Sequence, residues 1–200
     1  MHTELTTGPD GERMHPGSSA STSIAVFTAL DGILRHSDTG SPGEARVALD
    51  LLCARGIPVV LMSHGEPGAV IDLQRDLALV QPFIAEGGAA LYIPRGYFEE
   101  LDGLTSGDET WEIFDFGVRD PLRALRLLVS LFSVRGEDIL TIGFGSDWAD
   151  RALLSGVDVP IVVRQDEADQ GQLLRRFPDA YLTMASGPAG WSEAVLGSAV

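Results

Sequence analysis

IAVFTALDGILR, residues Ile24–Arg35, is the stretch whose reading decides the fold of this chain. Ile24, Ala25, Val26 and Phe27 form a continuous apolar run, the mark of a strand buried on both faces of a parallel sheet. The run leads straight into a loop carrying one carboxylate and one glycine, Asp31-Gly32. In open α/β sheets, ligands bind in the crevice beyond the carboxyl ends of the strands, so this loop is the first candidate for chemistry.

Working outward, the same alternation repeats along the chain. Ala45 to Arg55 reads as a helix with Val47, Ala48, Leu51 and Leu52 on one face, ended by Gly56. Ile57–Met62 is a second buried strand, followed by the loop Ser63-His64-Gly65 and a helix over Pro67–Leu79. Phe83-Ile84 and Ala89–Ile93 are short strands around Gly87-Gly88. A looser stretch from Pro94 to Asp120 holds a short strand near Trp111–Phe116. Leu122–Phe132 is an amphipathic helix, Ile139–Phe144 a strand, and Gly145-Ser146-Asp147 a loop opening a helix through Leu154. Val159–Val163, Gln170–Phe177, Ala180–Thr183 and Trp191–Leu196 close the chain as strand, helix, strand and helix. The expectation is an α/β fold, a three-layer sandwich of a mostly parallel sheet with helices on both faces.

The chain has 200 residues and is 44% hydrophobic, enough for one good core. A net charge of −15 argues against nucleic acid as partner and against anionic membrane surfaces. The first 22 residues are polar and read as a disordered tail without a leader segment, and residues 23–200 as one core domain. The only cysteine, Cys53, reads as a packed thiol, and a reducing cytoplasm is the expected compartment. All 14 cationic residues are arginine, and asparagine is absent as well.

The blocks GIPVVLMS (Gly56–Ser63), PFIAEGGAALYIPRGYF (Pro82–Phe98), TIGFGSDWADRALLSGVDVPIVV (Thr141–Val163) and GPAGWSEAVL (Gly187–Leu196) stand in one order with the Asp31 loop. Together they resemble the haloacid dehalogenase (HAD) phosphatases, most closely the mannosyl-3-phosphoglycerate phosphatase branch. The resemblance implies a HAD-like Rossmannoid core. It also implies an aspartate nucleophile, and Ala29 stands at that position. The acid/base aspartate two residues later is matched by Asp31. The hydroxyl that holds the transferring phosphoryl oxygens is matched by Ser63; the family's lysine has no match, and Arg123, in the helix at the corresponding place, is the nearby cation.

The family's acidic loop, Gly-Asp-Ser-x-Asn-Asp, holds Mg²⁺. Here the run is Gly145-Ser146-Asp147-Trp148-Ala149-Asp150, so Ser146 replaces the primary carboxylate ligand. The resemblance implies a weakened Mg²⁺ site of Asp31, Asp147 and Asp150. The family also carries a cap domain, of which residues 95–119 are the short remainder. Its loss is expected to expose Phe98, Trp111, Phe114 and Phe116 as a surface for a homodimer or protein partner.

Each assignment has a plain structural alternative. Asp31-Gly32 can simply turn the chain, Ser63 can satisfy local backbone, and Arg123 can pair with Asp120 or Glu137. His64 is either a phosphate contact or nucleophile, or a polar loop residue without a carboxylate partner. Asp147 and Asp150 can serve a helix N-terminus without metal. Trp191 reads as packing, and Trp148 as packing or an interface anchor. Three functions follow: an inactive scaffold binding a small phosphoester or other anion, a Mg²⁺-dependent phosphatase on a sugar or glycerate phosphoester, and a regulatory partner of another enzyme.

Overall fold

The computed structural model describes residues 23–34, 43–98, 101, 106–133, 138–165 and 170–197. The expected tail over residues 1–22 lies outside them. In chain order the elements are β1 (Ser23–Ala29), α1 (Ala45–Ala54), β2 (Val59–Met62), α2 (Pro67–Leu77), β3 (Phe83–Ala85) and β4 (Ala90–Pro94). There follow β5 (Ser106–Gly107), β6 (Trp111–Asp115), α3 (Pro121–Phe132), β7 (Ile139–Gly145) and α4 (Arg151–Ser155). The last are β8 (Val159–Arg164), α5 (Gly171–Arg176), β9 (Tyr181–Ser186) and α6 (Gly187–Gly197).

Among the described residues the strands form one nine-stranded sheet in the order β5-β6-β4-β3-β2-β1-β7-β8-β9. From β3 to β9 every neighbouring pair is parallel, while β4, β6 and β5 add on antiparallel. The fold is therefore mixed α/β with a mostly parallel sheet. From β1 the chain first moves outward through β2 and β3, then returns to the other side of β1 for β7, β8 and β9. Right-handed crossovers carry helices of the two halves to opposite faces. Helix α3 packs on α4, while α6, which follows the last strand and makes no crossover, packs back on α1.

The centre of the sheet is dry. Val26, Phe27, Val60, Leu61, Phe83, Ile84 and Phe144 are at most 1% exposed. Leu30, Ile33 and Leu34, just beyond β1, are equally buried and anchor the loop that leaves the sheet.

Three details differ from the sequence expectation. Helix α1 buries Ala45, Ala48, Leu49 and Leu52, the i, i+3, i+4, i+7 set, and leaves Val47 65% exposed. Cys53 falls off that stripe and is an exposed thiol rather than a packed one. Within 95–119 the expected strand near Trp111–Phe116 is β6, and the unexpected β5 pairs with it at the edge of the main sheet. Trp111 meets Phe83 and Tyr92 edge-on, and Phe98 stacks in T-shaped contact with Tyr97 and Phe132. Phe114 and Phe116 also pack against the core. These four rings are thus partly buried in their own fold, Trp111 against rings of the sheet itself and Phe98 against Phe132 of α3.

Candidate functional site

Strand order reverses at β1, and the carboxyl ends of β1, β2 and β7 meet there. This crevice is the topological switch point of the sheet, the place where such folds hold ligands. Three loops line it: Ala29-Leu30-Asp31-Gly32, Ser63-His64-Gly65 and Ser146-Asp147.

Ala29 ends β1 at 5% exposure, paired in register with Met62 of β2. The N–H of Leu30 donates to the Met62 carbonyl at 3.0 Å, so the chain leaves the sheet in a fixed direction. Asp31 follows, exposed to solvent. Gly32 turns at φ +72°, and its carbonyl accepts a 2.7 Å bond from the side-chain amide of Gln165, just beyond β8. Gly187, at the start of α6, also closes on this carbonyl: a Cβ there would lie 3.5 Å from it.

Ser63 is 3% exposed at the end of β2. Its Oγ accepts from the N–H of Gly65 at 3.1 Å, and the hydroxyl keeps its own proton as a donor. The N–H of Gly87 donates to the Ser63 carbonyl at 3.1 Å, which ties the β2 loop to the turn after β3. A Cβ on Gly87 would meet the Arg119 side chain at 3.4 Å and His64 Nδ1 at 3.6 Å. Arg119 and His64 therefore converge on this glycine. Gly88 passes the backbone of Pro121 so closely that a Cβ would lie 2.3 Å from its nitrogen.

The third loop is built around Asp150, 4% exposed. Its Oδ2 accepts the N–H of Ser146 at 2.7 Å and that of Asp147 at 3.3 Å. Asp147 Oδ1 in turn accepts from the N–H of Ala149 at 2.7 Å, so the two carboxylates form a capping box on the turn Trp148–Asp150. Ser146, also buried, is fixed by its carbonyl, which accepts from the Gln170 amide at 2.6 Å.

His64 has a partner after all. Its Nε2 lies 3.6 Å from Asp150 Oδ1, an ion-pair separation rather than a direct hydrogen bond. The sequence offered no sign of this pair, since the two residues come from loops after different strands. The Asp150 carboxylate lifts the His64 pKa above 6.5 against the burial that lowers it, with Asp147 and Asp31 adding to the rise.

Arg123 lies on the exposed face of α3, with its guanidinium 4.8 Å over the Phe116 ring. Its backbone N–H, not its guanidinium, meets Asp120, whose carboxylate caps the helix at 3.0 Å. Glu137, the other suggested partner, lies outside the described residues. The aliphatic part of the Arg119 side chain, four positions earlier, passes Gly87 beside His64, and nothing in the sequence distinguished it. Trp148 is 40% exposed with Arg151 stacked 5.2 Å over it, while Trp191 is fully buried against Phe144.

Mg²⁺ prefers an octahedron of oxygens with one or two direct carboxylates. Among the described residues no three of His, Cys, Asp or Glu gather as a metal-binding group. Both direct-ligand positions carry other chemistry, a methyl at Ala29 and a hydroxyl at Ser146. Asp150 is bonded to backbone through one oxygen and faces His64 with the other, and Asp147 is turned to its cap. This donor set does not fit Mg²⁺.

The chain is 38% identical over 180 residues to a glucosyl-3-phosphoglycerate/mannosyl-3-phosphoglycerate phosphatase of Methanococcoides burtonii, covering 83% of this chain and 65% of that protein. A 74-residue stretch, 37% of this chain, is 35% identical to 28% of the protein of the same name from Persephonella marina. The chain thus spans less than two thirds of the length of either relative. A solved HAD subclass IIB sugar phosphatase superposes with a TM-score of 0.60 at 12% identity, over 88% of this chain and 99% of that one, a likeness of fold. No family model matches the chain.

Proposed function

We propose that this chain, which belongs to the HAD superfamily on its mannosyl-3-phosphoglycerate phosphatase-like branch, binds a small phosphomonoester and does not hydrolyse it, acting as a binding or regulatory module. One observation carries the reading. The residue that ends β1, where the branch places its nucleophile, is Ala29, whose methyl group has no lone pair with which to attack phosphorus.

What remains around Ala29 suits binding. Ser63 presents a hydroxyl donor at a buried strand end, and Arg119 and His64 bring cationic character to the same rim. Asp31 retains a carboxylate two residues after Ala29, in place to meet the bridging oxygen of an ester. An acid/base group without a nucleophile leaves the phosphorus–oxygen bond intact.

Hydrolysis of a glycerate phosphoester is the alternative, favoured by the 38% identity to the Methanococcoides phosphatase. It requires attack by a group other than residue 29.

The two readings separate in an assay of p-nitrophenyl phosphate and mannosyl-3-phosphoglycerate, with and without Mg²⁺, for the natural chain, Ala29→Asp and Asp31→Asn. No turnover by the natural chain, together with a rise in melting temperature on adding the glycerate phosphoester, is the expected result. Turnover that disappears in Asp31→Asn overturns the silent-site reading. Absence of any ligand-induced stabilisation removes the binding function.

A further inference from the structure

We propose that this site takes no divalent metal ion: positions 29 and 146 offer no carboxylate, and His64 lies against the one buried carboxylate that such an ion would need. The inference rests on the phosphoester-binding reading above for its ligand class, a phosphomonoester bound free of metal, but its own test is separate.

The argument begins with the oxygens. A divalent cation at the carboxyl ends of β1 and β7 has to draw ligands from residues 29, 31, 146, 147 and 150. Residue 29 supplies only a methyl, and residue 146 a neutral hydroxyl. Asp150 is the most buried carboxylate of the group, and its Oδ2 already holds two backbone N–H groups. Its other oxygen faces His64 Nε2 at 3.6 Å. Asp147 uses Oδ1 to cap the next turn. A metal ion at Asp150 would have to break the capping box or displace the imidazole, which leaves it only the exposed carboxylates of Asp31 and of Asp147, the latter through Oδ2.

Charge leads to the same end. Carboxylates at 29 and 146 would add two negative charges to the crevice, the amount one divalent ion neutralises. With alanine and serine there, the two negative charges and the ion that would offset them are absent together, so the net charge of the crevice is the same without the ion. His64 faces Asp150 from the β2 loop, with Asp147 and Asp31 close enough to act on its charge, and the aliphatic part of Arg119 passes Gly87 beside it.

The test uses Mn²⁺ as a spectroscopic stand-in for Mg²⁺. Electron paramagnetic resonance of free Mn²⁺ is followed on titration with the natural chain, Ser146→Asp, and the double variant Ala29→Asp/Ser146→Asp. Inorganic phosphate binding is followed by melting temperature in Mg²⁺ and in EDTA. Expected results are an unchanged Mn²⁺ signal with the natural chain and loss of about one equivalent of signal with the double variant, with Ser146→Asp intermediate. Stoichiometric Mn²⁺ uptake by the natural chain at submillimolar concentration overturns the proposal, as does phosphate binding that vanishes in EDTA. If Ser146→Asp and the double variant keep native circular dichroism yet take up no Mn²⁺, the assignment to residues 29 and 146 is overturned. Phosphate that binds under neither condition, with Mn²⁺ still excluded, removes the phosphoester reading and leaves the metal-free site standing.

Discussion

The side-chain amide of Gln165 donates a 2.7 Å hydrogen bond to the carbonyl of Gly32, a residue 133 positions earlier in the chain. One bond thereby ties the end of β8 to the loop that carries Asp31, and it holds a positive-φ turn in place. Gln165→Ala removes the donor while leaving the half-buried Gly32 carbonyl in need of one. The expected cost is about 1 kcal/mol in urea unfolding, with faster amide exchange confined to residues 30–34. Unchanged exchange in that loop would show that Gln165 does not hold it.

The His64–Asp150 pair gives stability a pH dependence with a definite sign. The folded pKa of His64 is raised above 6.5, so its contribution is complete below that value and is lost as pH rises through the folded pKa. Because the imidazole is half-exposed, solvent screening holds the effect below about 1 kcal/mol. The difference in unfolding free energy between the natural chain and His64→Gln should shrink between about pH 6 and 8. A difference that stays flat or grows over that range contradicts the pairing.

Two glycines with positive φ separate backbone strain from steric collision. Gly56, at φ +68°, has nothing within 4 Å of the place an added methyl would occupy, so Gly56→Ala should cost about 1 kcal/mol from backbone strain alone. Gly88, at φ +89°, would drive a methyl to 2.3 Å from the Pro121 nitrogen. Gly88→Ala should cost more than about 3 kcal/mol, since both the turn and the start of α3 must shift. Equal losses in denaturant unfolding would rule out the close approach of these two segments.

Glu193 guards the edge of the sheet. Its carboxylate accepts the N–H groups of Met184 at 3.0 Å and Ala185 at 2.8 Å on the outermost strand β9, and the Tyr181 hydroxyl at 2.7 Å. Those backbone bonds hold the Glu193 pKa below its usual value, with the Ala185 N–H contributing most. Its stabilisation is therefore present above the ordinary glutamate range and is lost as pH falls through the lowered value. Glu193→Ala leaves two edge N–H groups open beside Met184, which is 82% exposed. Concentration-dependent self-association by light scattering is the expected outcome. A variant that stays at the natural chain's mass at every concentration shows that the edge needs no cap.

Much of the fold was legible because a strand or helix writes its burial into the spacing of its own residues. The apolar runs at Ile24–Phe27, Ile57–Met62 and Ile139–Phe144 could be placed from sequence because buried parallel strands admit little polarity. The two-residue strand β5 at Ser106–Gly107 was not, since it has no pattern to read and exists only by pairing with β6. Cys53 illustrates the limit of periodicity: its helix was evident, but the face it presents depends on how α1 rolls against α6.

The chain's own residues determined the order of α and β elements and the identities of Ala29, Asp31, Ser63, Ser146 and Asp150 beside their strand ends, because residue identity and local spacing are one-dimensional facts. Only the tertiary structure decided that His64 meets Asp150, that the Arg119 side chain passes Gly87 beside His64, and that Gln165 holds Gly32. These contacts join loops from separate strands. Their distances depend on parallel register and crossover direction, which accumulate over the whole sheet and leave no mark at either residue.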